Sequence, residues 1–262
     1  MSGLGTAFIR GGAFASFITV LYRLAFAKSH VVFFQNRDDR ELFLSRGIVS
    51  RLQARLLPGS GVDLNRFRPA EPLSGDSPVF LYIGRILADK GVREFVEAAA
   101  LVKEQCGGAR FQLLGGLDPG NRTAIPEPEL RAWVSTGLVE YLGPTDDVRP
   151  FIAKASAIVL PSYREGMPRS LLEAGAMARP LIASDVPGCR EIVKDGVTGL
   201  LCDARSSSSL AAAMARFAKM GVDQQQMLGD AAHSKVKTEY DERLIIGAYT
   251  EILKPLKETE AA

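Results

Sequence analysis

The chain has 262 residues, of which 47% are hydrophobic and 24% charged, as in a globular protein with a substantial core. Its 32 basic and 30 acidic residues leave a net charge of +2, so the strong positive charge of nucleic-acid-binding proteins is absent and we expect no nucleic-acid partner. Cys106, Cys189 and Cys202 show no CxxC or metal-ligand spacing, and the two histidines lie far apart in sequence. This pattern argues against zinc and favours the reducing cytoplasm over secretion.

An apolar segment, residues 11–22, lies between Arg10 and Arg23. It is shorter than the roughly 20 apolar residues of a membrane span, and it fits the basic start and small-residue cleavage site of a signal peptide poorly. We interpret it as a helix that packs in the core or against a partner domain. The alternative is an interfacial helix in which Arg10, Arg23 and Lys28 contact lipid phosphates.

Short elements follow this segment. Residues 29–36 are β-branched and aromatic, which predicts a buried strand, and residues 37–47 predict a helix that ends at Gly47. Residues 54–63 predict another short strand that ends in a Pro-Gly-Ser-Gly turn. Residues 71–78 are polar and rich in turn formers, and we interpret them as a linker.

A regular alternation of apolar strands and amphipathic helices begins at residue 79. Strands are predicted at 79–84, 110–116, 139–143, 157–161 and 180–185, and helical segments at 92–104, 127–137, 148–155, 169–178 and 189–196. This alternation predicts an α/β fold with a parallel sheet that helices cover on both faces. Residues 230–256 predict one or two closing helices.

The end of the strand at 79–84 carries the first candidate site. In open α/β sheets, ligands bind outside the carboxyl ends of the strands. Gly84 ends this strand, and Arg85 and Lys90 lie in the loop before the next helix. Two cations beside a glycine turn and a helix start suit a diphosphate. The alternative is that both side chains are ordinary solvated cations.

The start of the helix at 169–178 is the second candidate site. We place Pro168 at the first helical position, where its missing N–H costs nothing. The backbone N–H groups that this leaves unbonded at the positive helix end are those of Arg169, Ser170 and Leu171. Gly166 allows a ligand to approach the backbone closely.

Two glutamates frame this helix start. Glu165 is predicted at the tip of the turn, and Glu173 lies eight residues later on the helix. The alternative interpretation makes Glu165 a solvated loop acid and Glu173 a favourable charge in an early helical turn. A third strand end, with Asp185, Pro187 and Gly188, has a structural role as its simplest interpretation.

Three segments in this order resemble the family 4 glycosyltransferases, which are retaining enzymes of the GT-B fold. The segments are "LLPGSGVDLNRF", "GRILADKG" and "EGMPRSLLEAGAMARPLIASDVPGCREIVKDGVTGLL". The resemblance runs from about residue 3 to residue 199, and its E-x7-E motif is highly specific. Residues 33–67 are most similar to the bacterial branch that builds capsule, O-antigen or polyprenyl-linked glycan intermediates.

The resemblance implies a role for each matching residue. Arg85 and Lys90 would hold the nucleotide diphosphate and stabilise the charge that develops as the glycosidic bond breaks. Glu165 would contact the donor sugar and complete the catalytic set, and Glu173 would bind the ribose. The residues that would line the donor site are Gly84, Gly166, Met167, Pro168, Arg169, Ser170, Leu171 and Glu173.

The resemblance also implies that no metal or other cofactor is needed, because a cation pair and a helix dipole can replace a divalent ion at the diphosphate. Asp38–Asp39 and Asp146–Asp147 are adjacent pairs in polar contexts, and we interpret them as helix caps rather than metal ligands.

The same resemblance predicts the domain organisation. Residues 1–70 would be a remnant of the acceptor-side domain and 71–78 a linker, while 79–240 would bind the nucleotide sugar and 241–262 form a closing helix and tail. The glycine loop and the histidine of the N-terminal half in this family have no counterpart here. We therefore expect an N-terminally truncated chain that transfers sugar poorly by itself.

The function predicted is transfer of a sugar, with retention, from a nucleotide-sugar donor (a UDP-sugar) to a polysaccharide or polyprenyl-linked glycan acceptor. The location predicted is the cytoplasm, at the inner face of the cell membrane. The alternative is a non-catalytic fragment that binds the nucleotide sugar. A GT-B nucleotide-sugar epimerase is disfavoured by the E-x7-E motif.

Overall fold

A computed structural model describes residues 12–72 and 77–259, with side chains for 16–72 and 77–252. Arg10 and residues 73–76 of the predicted linker lie outside these ranges. Within the described ranges, no helix is both long enough and apolar enough to cross a bilayer.

The N-terminal unit is the part of the chain from the first helix to the second strand. Its elements are α1 (Gly12–Phe26), β1 (Val32–Phe34), α2 (Arg37–Ser45) and β2 (Ala54–Leu56). The two strands pair in parallel. Phe34 and Phe43 are fully buried with ring centroids 5.1 Å apart, and Tyr22 of α1 packs edge-on against Phe43 at 5.3 Å. The predicted strand and helix at 29–47 are thus confirmed, with β1 shorter than predicted.

Helix α1 packs on this small core through one face. The opposite face is exposed, and Phe17 and Leu24 have 58% and 70% of their surface accessible. Arg23 donates hydrogen bonds to the carbonyl oxygens of Arg46 and Gly47, just after α2, so its guanidinium is not directed outward to lipid. Residue 11 and the side chains of residues 12–15 lie outside the described part of the chain, and among residues 16–22 the core interpretation holds for the face that carries Ile18 and Tyr22.

The second part of the chain forms a parallel sheet of six strands. Its strands are β3 (Val79–Ile83), β4 (Arg110–Leu114), β5 (Glu140–Gly143), β6 (Ala157–Leu160), β7 (Leu181–Ser184) and β8 (Gly199–Cys202). The strand order is β5-β4-β3-β6-β7-β8, so the direction of winding reverses between β3 and β6. Every residue of β6 and β7 is buried, as expected for strands covered on both faces.

Helices connect these strands and close the chain. They are α3 (Val92–Gln105), α4 (Glu127–Ser135), α5 (Arg149–Lys154), α6 (Arg169–Ala176), α7 (Cys189–Ile192), α8 (Ser207–Ala218), α9 (Val222–Glu239) and α10 (Glu242–Thr259). Helix α3 packs against α8, and α6 packs against α9. The predicted α/β fold is confirmed, and so are the two closing helices, although α9 begins at Val222 rather than near residue 230.

Strand β8, helix α8 and a single 3-10 turn at Ala88–Lys90 were not predicted from the sequence. Strand β8 has four residues and begins at a glycine with φ +159°, so it resembles the end of a glycine turn. Its strand state depends on pairing with β7, which is 18 residues away from it in sequence and is not visible in a local pattern.

The end of the chain returns to the N-terminal unit. Backbone hydrogen bonds join Val62 to Tyr240 at 2.9 Å and Glu242 to Val62 at 3.2 Å. Further along α10, the ring of Tyr249 lies 4.9 Å from that of Phe33. The start of α10 is therefore bonded to the segment that follows β2, and its later part contacts β1 of the small sheet.

Candidate functional site

Two loops meet at the carboxyl edge of the large sheet, where β3 and β6 lie side by side. We call residues 84–91 the β3 loop and residues 161–168 the β6 loop. Because the winding direction reverses between these two strands, the connections that follow them lead away in opposite directions and leave a crevice at this edge. This is the place where the sequence analysis puts the ligand.

An ion pair joins the two loops. The Lys90 ammonium lies 2.6 Å from Glu165 Oε1, and the Ser162 hydroxyl donates to the same oxygen at 2.6 Å. The Glu165 side chain is 10% exposed and that of Lys90 25%. The interpretation of Glu165 as a solvated loop acid is therefore wrong. Ser162 is a contact that the sequence analysis missed, although its place three residues before Glu165 is a signal for it.

Two glycines let neighbouring backbones approach this loop. Gly91 has φ +74°, and a Cβ there would lie 2.0 Å from the Pro161 carbonyl oxygen. Gly188 has φ +83°, and its Cβ would lie 2.6 Å from the carbonyl oxygen of Gly166. Side chains are strained at such angles, so both positions favour glycine. The structural role predicted for the strand end at Gly188 agrees with this contact.

Helix α6 starts directly after the β6 loop. Pro168 is its N-cap residue rather than its first helical residue, so the predicted start is one position early. The first backbone bond of the helix runs from Leu172 N–H to the Pro168 carbonyl, at 3.3 Å. The three N–H groups that have no partner among the described residues belong to Arg169, Ser170 and Leu171. They form a positive helix end with vacant donors.

Glu173 lies one turn further along α6. Its side chain is 13% exposed, and the Arg169 guanidinium is 3.3 Å away. Burial raises the pKa of Glu173 above its ordinary value of 4.5, and the nearby Arg169 opposes that shift. A buried carboxylate with one weak cation partner retains capacity to accept hydrogen bonds from hydroxyl groups.

These groups line one cleft of about 400 Å³. Its wall is formed by Ile83, Gly84, Arg85, Lys90, Leu160, Glu165, Met167, Pro168, Arg169, Ser170 and Glu173. The cleft thus brings together every predicted site residue except Gly166 and Leu171. The side chain of Leu171 is buried in the core, so that residue could contribute its N–H alone. Ile83 and Leu160, which end β3 and β6, are additional apolar lining that the sequence analysis did not name.

Gly166 lies on the other side of the β6 loop. It lines a smaller cavity of about 240 Å³ together with Gln35, which follows β1, and Ser60, which lies in the segment after β2. Glu165 and Arg169 border both cavities. The part of the β6 loop around Glu165 therefore lies between the cleft and the N-terminal unit.

Arg85 is at the mouth of the cleft. Its guanidinium is bound to Asp118 at 2.8 Å, and its side chain is 58% exposed. The buried Tyr82 hydroxyl donates to the Arg85 carbonyl at 2.7 Å and fixes the backbone there. Arg85 can exchange its exposed carboxylate partner for a ligand anion at low cost. No sequence pattern pointed to Asp118, which lies in the loop after β4.

A cavity of about 430 Å³ lies at the opposite edge of the large sheet, where β3 and β6 begin, and is lined in part by Lys154 and Arg179. Arg179 is buried and donates to the carbonyl oxygens of Ile152 and Ala153 in the last turn of α5. Cations at a helix C-terminus are a common stabilising arrangement. This cavity lies at the amino ends of the strands, away from the edge where α/β proteins bind ligands.

The aspartate pairs have partners of their own. Asp39 is bound by Arg164, and Asp147 by Arg149 at 2.7 Å. The residue that caps α2 is Asn36, whose side chain accepts from the Asp39 N–H, so the interpretation of Asp38–Asp39 as the cap is wrong. Asp147 does accept the backbone N–H of Arg149, the first residue of α5, at 3.1 Å.

Comparison with known proteins identifies the family to which the chain belongs. Residues 77–220, more than half of the chain, match the family model described as Glycosyl transferases group 1. The chain belongs to this family. Among curated group 1 glycosyltransferases and related enzymes, it is 29% identical over 268 residues to N,N'-diacetylbacillosaminyl-diphospho-undecaprenol alpha-1,3-N-acetylgalactosaminyltransferase of Campylobacter jejuni. That match covers 96% of this chain and 68% of the relative.

Other matches cover less of the relative. The putative colanic acid biosynthesis glycosyltransferase WcaL of Escherichia coli is 27% identical over 75% of this chain, which spans 50% of that protein. Among solved structures, sucrose-phosphate synthase from Thermosynechococcus elongatus superposes with a TM-score of 0.82 at 23% identity, over 98% of this chain and 67% of that one. Anabaena HepE in complex with UDP and glucose gives 0.77 at 19% identity, over 92% and 67%. These two structural superpositions confirm the predicted GT-B fold class.

The raised pKa of Glu173 leads to a test of stability against pH. A carboxyl group whose pKa is higher in the folded state stabilises the fold below its unfolded pKa, and this contribution is lost as pH rises through the folded pKa. At about pH 7 the buried anion therefore costs stability. We predict that Glu173→Gln unfolds at a higher temperature than the wild type at about pH 7, and that the difference shrinks towards about pH 4.

Glu129→Gln is the matched control. Two hydrogen bonds from Arg93, at 2.7 and 2.9 Å, lower the pKa of Glu129, so this carboxylate stabilises the fold above its unfolded pKa. The control substitution should lower the unfolding temperature at about pH 7, which is the opposite sign. A Glu173→Gln variant that is no more stable than the wild type at neutral pH would contradict the assignment of Glu173 as a buried, poorly paired anion.

Proposed function

We propose that the chain binds a nucleotide-activated sugar, a UDP-sugar, in the cleft between the β3 and β6 loops, and that it acts as a retaining glycosyltransferase on a glycan acceptor. The observation that carries the proposal is the convergence of Lys90, Glu165, Glu173 and the unbonded helix start of α6 on one cleft. The cleft volume of about 400 Å³ falls within the range of small-molecule sites.

The centre of the cleft suits a diphosphate. The Lys90 ammonium and the vacant N–H groups that follow Pro168 are hydrogen-bond donors at a positive helix end. Arg85, released from Asp118, adds a second cation from the mouth of the cleft. Donors fixed in advance around the leaving diphosphate stabilise the charge that develops during transfer. In this proposal the cations and the helix end do the work of a divalent metal ion, and no cofactor is required.

The two glutamates suit the two ends of the donor. We assign the buried carboxylate of Glu173 to the ribose hydroxyls, because it has unused acceptor capacity. We assign Glu165 to the hydroxyls of the transferred sugar. Its oxygen Oε1 is occupied by Lys90 and Ser162, and these contacts aim the side chain while Oε2 remains available. One loop and one helix thus hold both ends of a nucleotide sugar.

The comparisons support the substrate classes. The name of the Campylobacter relative describes transfer of an amino sugar to a diphospho-undecaprenol-linked sugar, and the Anabaena structure holds UDP and glucose. We propose for this chain a polysaccharide or polyprenyl-linked glycan acceptor and a place in the cytoplasm, at the inner face of the cell membrane. The three unpaired cysteines agree with a reducing compartment.

Isothermal calorimetry tests donor binding. We expect the wild type to bind UDP and a UDP-sugar, and Lys90→Met and Glu173→Ala each to weaken binding about tenfold or more, because each removes a charged hydrogen-bonding group. Lys103→Met is the control, since Lys103 is exposed and bonded to the Gly137 carbonyl away from the cleft. Absence of wild-type binding, or equal affinity in all variants, would refute the site.

Sugar transfer is measured with a radiolabelled UDP-sugar as donor and native membrane lipid as acceptor. The proposal predicts a lipid-soluble product whose new bond keeps the anomeric configuration of the donor, measured by NMR, and whose formation Glu165→Gln abolishes. Tight binding of UDP-sugar without transfer would favour the alternative of a non-catalytic binding module. An inverted product would contradict the retaining assignment.

The exposed face of α1 predicts contact with the membrane surface. Its apolar side chains Phe17 and Leu24 project from the N-terminal unit, and the exposed Lys28 lies just beyond the helix end. Such a face binds the boundary between headgroups and acyl chains. We predict that the chain floats with vesicles containing anionic lipid and that Phe17→Glu with Leu24→Glu abolishes flotation. Substituting two other exposed apolar residues, Met227 and Leu244, by Glu should leave flotation unchanged. A wild-type chain that stays in the soluble fraction would disprove the contact.

A further inference from the structure

The first turn of α2 contacts the β6 loop and its neighbour α7. Asn36 and Asp39 bind the β6 loop, while the side chain of Asp38 lies 3.4 Å from Arg190 and the N–H of Arg37 donates to Glu191 at 3.0 Å. Two of these four consecutive residues, Asn36 and Asp39, therefore bond to the β6 loop, and the other two bond to α7. Nothing in the assignment of the donor site uses them.

The side chain of Asn36 makes three hydrogen bonds. Its side-chain oxygen accepts from the Asp39 N–H at 2.8 Å and caps α2. Its Nδ2 group donates to Asp39 Oδ2 at 3.1 Å and to the Gly166 carbonyl at 2.9 Å. The residue is 1% exposed, so these contacts replace water. Asn36 thus caps α2 in the N-terminal unit and also donates a hydrogen bond to the backbone of the β6 loop.

Asp39 forms the second contact. Its carboxylate is 4% exposed and pairs with the guanidinium of Arg164, whose side chain is 23% exposed. A carboxylate this buried needs a charge partner, because isolated charges in the interior are costly. Arg164 Nε is buried and has no hydrogen-bond partner among the described residues, so Asp39 and not a wider network fixes this guanidinium.

The two contacts flank one residue. Arg164 precedes Glu165 in the chain and Gly166 follows it, and α2 holds both neighbours while the large sheet holds the Glu165 side chain through Lys90. We propose that Asn36 and Asp39 are positioning residues that fix the backbone of Glu165 from the N-terminal unit. The consequence for ligand binding rests on the proposed function. A displacement of about 1 Å in a positioning group can cost about a hundredfold in rate.

Conservative variants separate this role from a general one in folding. Asn36→Asp keeps the capping oxygen but cannot donate to the Gly166 carbonyl, and Asp39→Asn keeps the shape but leaves Arg164 without a carboxylate. Arg164→Gln removes the same ion pair from its more exposed side. Asp38→Asn is the control, because Asp38 lies in the same turn but pairs with Arg190 instead of the β6 loop.

Hydrogen exchange of the ligand-free full chain is the first readout. In the β6 loop, the Tyr163 N–H donates to the Asp89 carbonyl at 2.9 Å and reports whether the loop stays closed. We expect exchange in residues 161–168 to become about tenfold faster in Asn36→Asp, Asp39→Asn and Arg164→Gln, and to stay unchanged in the control and in strands β3 and β6. Combining Asp39→Asn with Arg164→Gln should add little, because both act through one pair.

The second readout compares UDP-sugar with UDP. Since Glu165 is assigned to the sugar, the three variants should lose about tenfold in affinity for UDP-sugar and less than about twofold for UDP. Unchanged exchange in the β6 loop, faster exchange throughout the protein, or equal loss of both ligands would overturn the positioning role. A wild type that binds neither ligand would defeat the proposed function, while the exchange experiment would still decide whether α2 holds the loop.

Discussion

The ion pair between Lys90 and Glu165 is the constraint on which the site depends. It joins the loops that follow two neighbouring strands, and it does so at the point where the sheet reverses its winding. A buried ion pair adds little net stability, because removing both charges from water offsets most of their attraction. Its effect is to restrict geometry: it keeps an ammonium group and a carboxylate together in a cleft that would otherwise be open loops. Ser162 adds a hydrogen bond to the same carboxylate oxygen and narrows its orientation further.

The surrounding structure supports this pair from several sides. Gly91 and Gly188 allow the backbones of the β3 loop and of the segment before α7 to lie against the β6 loop. The N-terminal unit reaches it from the other side through α2, and α10 packs back on that unit through the contact of Tyr249 with Phe33. The β6 loop around Glu165 is therefore positioned by parts of the chain that are up to about 130 residues apart in sequence.

The sequence predicted the large sheet and most of the cleft for the same physical reason. Strands buried on both faces give continuous apolar runs, and parallel strands place all of their following loops at one edge. Gly84, Lys90 and Glu173 could thus be assigned to one site without knowledge of a single contact. The roles of these residues were predicted from the family resemblance. The match to Glycosyl transferases group 1 confirms the family, while the roles themselves stay a prediction.

Contacts between segments that are distant in sequence could not be predicted from local sequence patterns. Strand β8 requires β7, and the carboxylate partner of Arg85 lies 33 residues away in a loop with no recognisable motif. Asn36 and Asp39 are an ordinary helix start by sequence, and their bonds to the β6 loop emerge when the two sheets are packed together. The predicted start of α6 at Pro168 was one residue too early, because Pro168 is the N-cap residue and the helix begins at Arg169. Such differences of one residue are common at helix ends.

The most direct measurement of the central claim is a crystal structure of the chain with a non-hydrolysable UDP-sugar analogue. The account predicts the diphosphate at Lys90 and the N–H groups that follow Pro168, the ribose hydroxyls on Glu173 and the sugar beside Glu165. A nucleotide bound in the cavity at the opposite sheet edge, against Lys154 and Arg179, would contradict it.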